Sequence, residues 1–218
     1  MVVILALRFP REMPRSKSSA SWMSRHLSDP FVKQAQKDGY RSRSAYKLIE
    51  LNEKDKLIRP GMRILDLGSA PGGWSQVAGK LVGGKGRVLA TDILPMDSLN
   101  NVDFIQGDFT DDAIVQKLFD WLGSGKFDLI ISDIAPNITG ISSADQASSI
   151  YFLELALDTV RKTLKPGATF AAKMFQGSGS DQYLKELRTH FEKVSIRKPA
   201  ASRKESREVY LVAKGFKA

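Results

Sequence analysis

Residues 64–76 read Ile64-Leu65-Asp66-Leu67-Gly68-Ser69-Ala70-Pro71-Gly72-Gly73-Trp74-Ser75-Gln76. An apolar run that passes into glycines and then a helix-compatible stretch describes a buried strand, a tight turn and a helix N-terminus, where a ligand can approach the backbone closely. The glycines fall at 68, 72 and 73, which is not the G-x-G-x-x-G spacing of a dinucleotide fingerprint, and the Gly-Lys-Ser/Thr of a Walker loop is missing. Asp66 lies inside the strand end. A pyrophosphate favours a helix N-terminus free of carboxylates, whereas a cofactor bearing an amino acid has an ammonium that an acid helps to hold.

After Gly61, short apolar runs alternate with longer helical patterns, as in a parallel sheet with crossover helices. The pattern predicts strands over Arg63–Leu67, Arg87–Thr91, Asp103–Gln106, Phe127–Ser132, Ala168–Met174, Lys193–Arg197 and Glu208–Ala213. Helices are expected near Trp74–Leu81, Asp111–Leu122, Asp145–Leu164 and Asp181–Phe191. Strands six and seven leave no room for a helix between them, so that pair is expected to be antiparallel at one edge. The fold class is therefore α/β: an open, doubly wound, Rossmann-like sheet of seven mostly parallel strands with one antiparallel edge strand and helices on both faces. Ligands of such a sheet belong at the carboxyl ends of its central strands.

Three more acids stand at successive strand ends. Asp92 ends strand two and suits two ribose hydroxyls, Asp108 follows strand three at the reach of an adenine amine, and Asp133 ends strand four. Each alone reads as a turn or cap residue; together with the glycine turn they outline an adenosine with a charged tail. S-adenosylmethionine fits this outline better than NAD. Trp74 is either a helix-packing aromatic or a cofactor contact.

The 218 residues, 42% hydrophobic and 26% charged, are enough for one domain with a modest appendage. There is no cysteine and only two histidines, His26 and His190. Thiolate sites, a Ser-His-Asp triad and a multi-histidine metal site are thereby disfavoured, and no metal is expected. The cytoplasm is the natural compartment. Met1–Leu7 is apolar but too short for a membrane span and lacks the flanks of a signal peptide. Residues 1–21, with Ser16–Ser21 at their end, are expected to form a flexible extension, and 22–218 one domain with a basic helical part over 22–60. The net charge is +9. Thirteen basic and six acidic residues fall in 1–60 and ten and four in 185–218, whereas 61–184 hold ten and fourteen. Basic ends around an acidic body suit a folded core that meets a polyanion along one edge.

Lys173 lies in the apolar run Phe170-Ala171-Ala172-Lys173-Met174-Phe175, where a central strand is buried on both faces. It is either a strand-end lysine that snorkels to solvent or a partly desolvated amine at the active crevice, suited to take or orient a hydroxyl proton. Lys47, in Ala45-Tyr46-Lys47-Leu48, and Glu208, in Ser206-Arg207-Glu208-Val209-Tyr210, each read alone as surface charges.

Five stretches, DLGSAPGGWSQ (66–76), SDIAPN (132–137), AKMFQG (172–177), SREVY (206–210) and RSRSAYKL (41–48), together resemble the FtsJ/RrmJ family of ribosomal RNA ribose methyltransferases. The likeness covers about residues 16–217; only the first fifteen or so stand outside it, as an upstream start would leave them. The resemblance implies transfer of a methyl group from S-adenosylmethionine to a ribose 2′-hydroxyl, in bacterial members on a uridine of the A-loop in the large-subunit ribosomal RNA. It implies a Lys-Asp-Lys-Glu tetrad on Lys47, Asp133, Lys173 and Glu208, none substituted, and cofactor contacts from Gly72, Trp74, Asp92, Asp108 and Asp133. Arg25, Lys33, Lys37, Arg41, Arg43, Arg197, Lys198, Arg203, Lys204 and Arg207 are then expected to bind phosphates, with Tyr40 either stacking on a base or packing in the core. The expected partner is ribosomal RNA in the large subunit, with no membrane, and the protein is expected to be a monomer.

Overall fold

The computed structural model describes residues 29–135 and 142–218. The expectations for residues 1–21, Arg25, Pro136 and Asn137 lie outside them. The chain enters through α1 (Pro30–Lys37), whose first turn is set by Pro30 and by Asp29, which accepts the Phe31 N–H at 3.0 Å. Helix α2 (Ala45–Asp55) follows and stops at Lys56 in the left-handed conformation. Its apolar stripe, Leu48 and Leu51, is buried.

The strands are β1 (Arg63–Leu67), β2 (Arg87–Asp92), β3 (Val102–Gln106), β4 (Phe127–Ser132), β5 (Leu164–Phe175), β6 (Phe191–Arg197) and β7 (Glu208–Phe216). Between them run α3 (Gly73–Val82), α4 (Asp112–Leu122), α5 (Ser142–Thr163) and α6 (Ser180–His190). The sheet order is β3-β2-β1-β4-β5-β7-β6. The first five of these pair in parallel, and β7 runs antiparallel to both neighbours. The expected antiparallel pair is thus present at that edge, but the strand that opposes the rest is β7, one place in, with β6 outermost. Strand β5 also starts earlier than expected, at Leu164, which pairs with Phe127 across a register shift.

Alternation along the buried strands sorts the core onto two faces. Leu65, Leu67, Phe170, Ala172 and Leu211 pack beneath α4, α5 and α6. Ile64, Ile131, Ala171, Tyr210 and Val212 pack beneath α2 and α3, against Leu48, Leu51, Trp74 and Val77. Each fully buried leucine here contributes about 1.5–3 kcal/mol by leaving water, so Leu48→Ala would loosen α2 from the sheet. The topology reverses between β1 and β4, where a crevice opens at the strands' carboxyl ends. Because β7 is antiparallel, its first residue, Glu208, pairs with Phe175 at the end of β5 and so reaches the same rim.

Candidate active site

Two glycines shape the turn after β1. Gly68 has φ +70°, and a Cβ there would fall 2.0 Å from Ile134 Cγ1; Gly72 has φ +107°, and a Cβ there would fall 2.8 Å from the Arg41 guanidinium. The turn therefore stays thin beside a cleft of about 360 Å³ lined by Gly68, Ala70, Asp92, Asp108, Asp133 and the apolar Ile93, Phe109 and Phe152. Asp92 accepts the Ala70 N–H at 2.9 Å and the Leu94 N–H at 2.8 Å, while Asp108 accepts the Thr110 N–H at 2.9 Å. Both carboxylates are fixed by backbone amides with acceptor capacity left over. Apolar walls for a flat base, carboxylates for hydroxyls and an amine, and a glycine turn fit the adenosine and charged tail of S-adenosylmethionine.

Gly72 and Trp74 do not line this cleft with side chains. The Trp74 side chain is buried, lies 5.6 Å from the Tyr210 ring, and donates from its indole N–H to Ser44 O at 2.9 Å. What Trp74 presents towards the turn is its main chain, in the first helical turn, where amides lack intrahelical acceptors. Asp66 also turns away from the cleft. It is fully buried under α3, accepts Ser75 Oγ at 2.6 Å through Oδ2, and leaves Oδ1 unpartnered. Burial, reinforced by the charges of Asp133 and Asp92, pushes its carboxyl up to about 7 against the pull of Ser75.

Beside the cleft, four charged side chains from four separate segments meet at the rim. Lys173 Nζ, at the end of β5, donates to the Asp133 carbonyl at 2.6 Å and pairs with Asp133 Oδ1 at 3.1 Å. Lys47 Nζ, from α2, pairs with Glu208 Oε1 at 2.6 Å. Their side chains are 8% and 9% exposed, so Lys173 does not snorkel to solvent and neither lysine is a surface charge. Burial pushes the Glu208 carboxyl up, but Lys47, joined by the Ser202 hydroxyl and the charge of Lys173, outweighs it and the net displacement is downward.

Tyr210 joins the two pairs, a role the sequence reading missed. Its hydroxyl donates to Asp133 Oδ1 at 2.6 Å, and Lys47 Nζ sits 5.5 Å from its ring centre. Burial and the charges of Asp133 and Glu208 hold its phenol well above the usual range, so it remains a donor. The available signal was its place two residues after Glu208, on the same face of one strand.

Several expected phosphate ligands are engaged within the fold. Arg41 donates to the carbonyls of Asp97 at 2.8 Å and Ser98 at 2.9 Å, clamping the loop after β2. Arg43 pairs with Asp29 and donates to Ala201 O, and Arg197 makes two 2.8 Å bonds to Asp55. Lys198 donates to Glu208 O at 2.8 Å, and Tyr40 packs edge-on against Tyr46 beneath Lys80. Lys33, Lys37 and Lys204 are exposed. Among the described residues no group of three or more His, Asp or Glu side chains could hold a metal ion, and no helix is long and apolar enough to cross a membrane.

A doubly wound sheet with a glycine turn of this spacing, a carboxylate-lined cleft and a paired lysine–carboxylate cluster beside it defines a Rossmann-like methyltransferase. The sequence model of the FtsJ-like methyltransferases matches residues 40–216, and the chain belongs to that family. A protein of Stutzerimonas stutzeri named ribosomal RNA large subunit methyltransferase E is 69% identical over 205 residues, covering 94% of this chain and 100% of the relative. One of the same name from Marinobacter nauticus is 60% identical over 94% of this chain and 99% of its own length. Among solved structures, a crystal structure described as a ribosomal RNA methyltransferase of Plasmodium falciparum superposes with a TM-score of 0.74 at 33% identity, over 81% of this chain and 98% of the other.

Proposed function

We propose that this enzyme transfers a methyl group from S-adenosylmethionine to a ribose 2′-hydroxyl of large-subunit ribosomal RNA, on a uridine of the A-loop, in the cytoplasm. The observation that carries the reading is the meeting of Lys47, Asp133, Lys173 and Glu208 beside the carboxylate-lined cleft. The names of the bacterial relatives support the substrate. In this reading residues 22–218 work as one methyltransferase domain and the protein acts as a monomer.

When bound, the cofactor supplies an electrophilic methyl on a positively charged sulfur. Asp92 would hold the ribose hydroxyls, Asp108 the adenine amine, and Asp133 with the amides around Gly72 and Trp74 the amino-acid tail. The chain must then align a poor nucleophile and manage one proton, and alignment supplies most of the acceleration. Lys173 Nζ spends two of its directions on Asp133 and has one left for the hydroxyl. As an amine it takes the proton while the C–O bond forms and the C–S bond breaks; as an ammonium it fixes the oxygen and the proton leaves to solvent. Lys47 and Glu208 carry the ribose side of the site, and Tyr210 holds Asp133 in register with Lys173.

The test is to incubate the protein with labelled S-adenosylmethionine and large ribosomal subunits or RNA from cells lacking the activity, to map the product, and to repeat with Lys173→Ala. A 2′-O-methyl in the A-loop that vanishes in the variant is the expected result. Label on transfer RNA alone would keep the chemistry and overturn the substrate. Cofactor binding with no label on any RNA would leave an RNA-binding assembly factor.

A further inference from the structure

We propose that the cavity of about 380 Å³ between the start of α1 and the β6–β7 connection is a subsite for one nucleotide adjoining the target in the RNA strand, its base on Phe31 and its phosphate on Arg203 and Lys204. The inference rests on the function proposed above and names a part of the substrate that the tetrad and the cofactor cleft leave without a seat.

Its position follows from an unbroken line of contacts. Asp133 lines the cofactor cleft and pairs with Lys173; Tyr210 donates to Asp133 and carries Lys47 over its ring; Lys47 pairs with Glu208. Ser202, within reach of Glu208, lines the cavity. The tetrad therefore lies between cleft and cavity. A ribose whose hydroxyl meets the methyl over Lys173 has its chain neighbour on the Glu208 side, where the cavity opens.

The chemistry of the walls suits a nucleotide. Phe31 is half-buried, lines the cavity with Pro30, and is steadied by Tyr46 at 5.8 Å and by the Arg43 guanidinium 5.9 Å from its ring centre. Asp29 is committed to the Phe31 amide and to Arg43, and its distance to Arg203 is 3.8 Å, so the Arg203 charge, on a side chain 34% exposed, is only loosely compensated. Lys204 is exposed and makes no ion pair among the described residues; Glu205 is the other carboxylate at the rim. Ser202 Oγ is buried on the Glu208 side, where it helps to hold that carboxylate, so it ties the cavity wall to the tetrad. An aromatic face with cations beside it is a sequence-tolerant way to hold an unstacked base and its phosphate.

The experiment measures binding of the full chain to a hairpin RNA bearing the target loop, either intact or with an abasic nucleotide placed 5′ or 3′ of the target. Phe31→Ala is expected to weaken the intact RNA about tenfold, and to change by less than about twofold the binding of the RNA abasic at one of the two flanks, with Phe31→Tyr restoring affinity. Lys204→Ala is expected to weaken all three RNAs and to lower the slope of log affinity against log salt by about one. Unchanged binding of S-adenosylhomocysteine reports an intact fold; if Phe31→Ala loses it, Phe31→Leu takes its place. Equal losses on intact and both abasic RNAs, or a Lys204 variant with unchanged affinity and slope, would overturn the subsite while methylation of the RNA by the wild-type protein upholds the activity. A wild-type protein that methylates neither this RNA nor large subunits overturns the activity, and the subsite with it.

Discussion

The cofactor cleft and the tetrad lie side by side yet hold charge by opposite means. In the cleft, Asp92 and Asp108 remain partly exposed and are steadied by backbone amides of adjoining loops. In the tetrad, two lysines and two carboxylates are largely buried and persist only as pairs. Removing a carboxylate from the cleft leaves a gap that water fills, so the loss falls on ligand affinity. Removing one member of a tetrad pair strands its partner, so the loss falls on chemistry and on the fold.

The sharpest break of this comparison sets Lys173→Ala beside Asp92→Ala. The first is expected to lower kcat by about 10²–10⁴-fold with cofactor affinity nearly unchanged, and the second to raise the cofactor KM about tenfold or more while sparing kcat at saturation. Steady-state kinetics with isothermal titration separates them. Parallel losses in both quantities for both variants would erase the distinction.

Asp66 lies beneath both regions and gives the next largest effect. Its folded value of about 7 is raised above the ordinary 3.8, so it favours the folded state in acid. Its contribution is full below pH 3.8 and declines as pH rises to 7, by up to about 4 kcal/mol over that interval. Asp66→Asn should flatten this part of the stability profile, read by denaturant unfolding at several pH values. Lys47→Met should do the reverse on the other side of the site. Glu208 sits below its ordinary 4.5, so it adds stability above pH 4.5 that is lost as the pH falls through its lowered folded value. With Lys47 gone, the burial of Glu208 is opposed only by the Ser202 hydroxyl and the charge of Lys173. The variant should be least stable relative to wild type near neutrality, by about 3 kcal/mol at most, and approach it in acid. A constant difference across pH would refute the pairing as the cause.

Arg41→Ala carries the smallest expected effect. Because its guanidinium clamps the loop that bears Ile93 and Leu94 on the cleft wall, cofactor affinity should fall by roughly threefold, about the worth of one modest hydrogen bond. The salt slope of RNA binding should stay unchanged, since this cation is already spent on carbonyls. A slope reduced by about one would return Arg41 to the phosphate-binding surface.

Much of this was readable in one dimension. Strands β1, β2, β4 and β5 are covered on both faces, so they announce themselves as apolar runs, and the charged residues at their ends stand out against them. Lys173 was legible for that reason. Tyr210 was not, because a tyrosine in a strand looks like core until its hydroxyl is seen against Asp133. The contacts of Arg41 and Arg197 were not legible, because a sequence does not separate a cation facing solvent from one that donates to the carbonyls of residues 97 and 98 or to Asp55. Trp74 was ambiguous and resolves into packing by its side chain.

By itself, then, the sequence determined the α/β class, the glycine turn, and the acids at successive strand ends, because local burial patterns and backbone conformations are written in neighbouring residues. Only the tertiary structure decided that β7 runs between β5 and β6, that Asp66 is buried away from the cleft, and which charges face each other. Those outcomes depend on register and on contacts between distant segments, about 160 positions apart in Lys47 and Glu208, where partner choice is settled by packing and desolvation once the chain has closed.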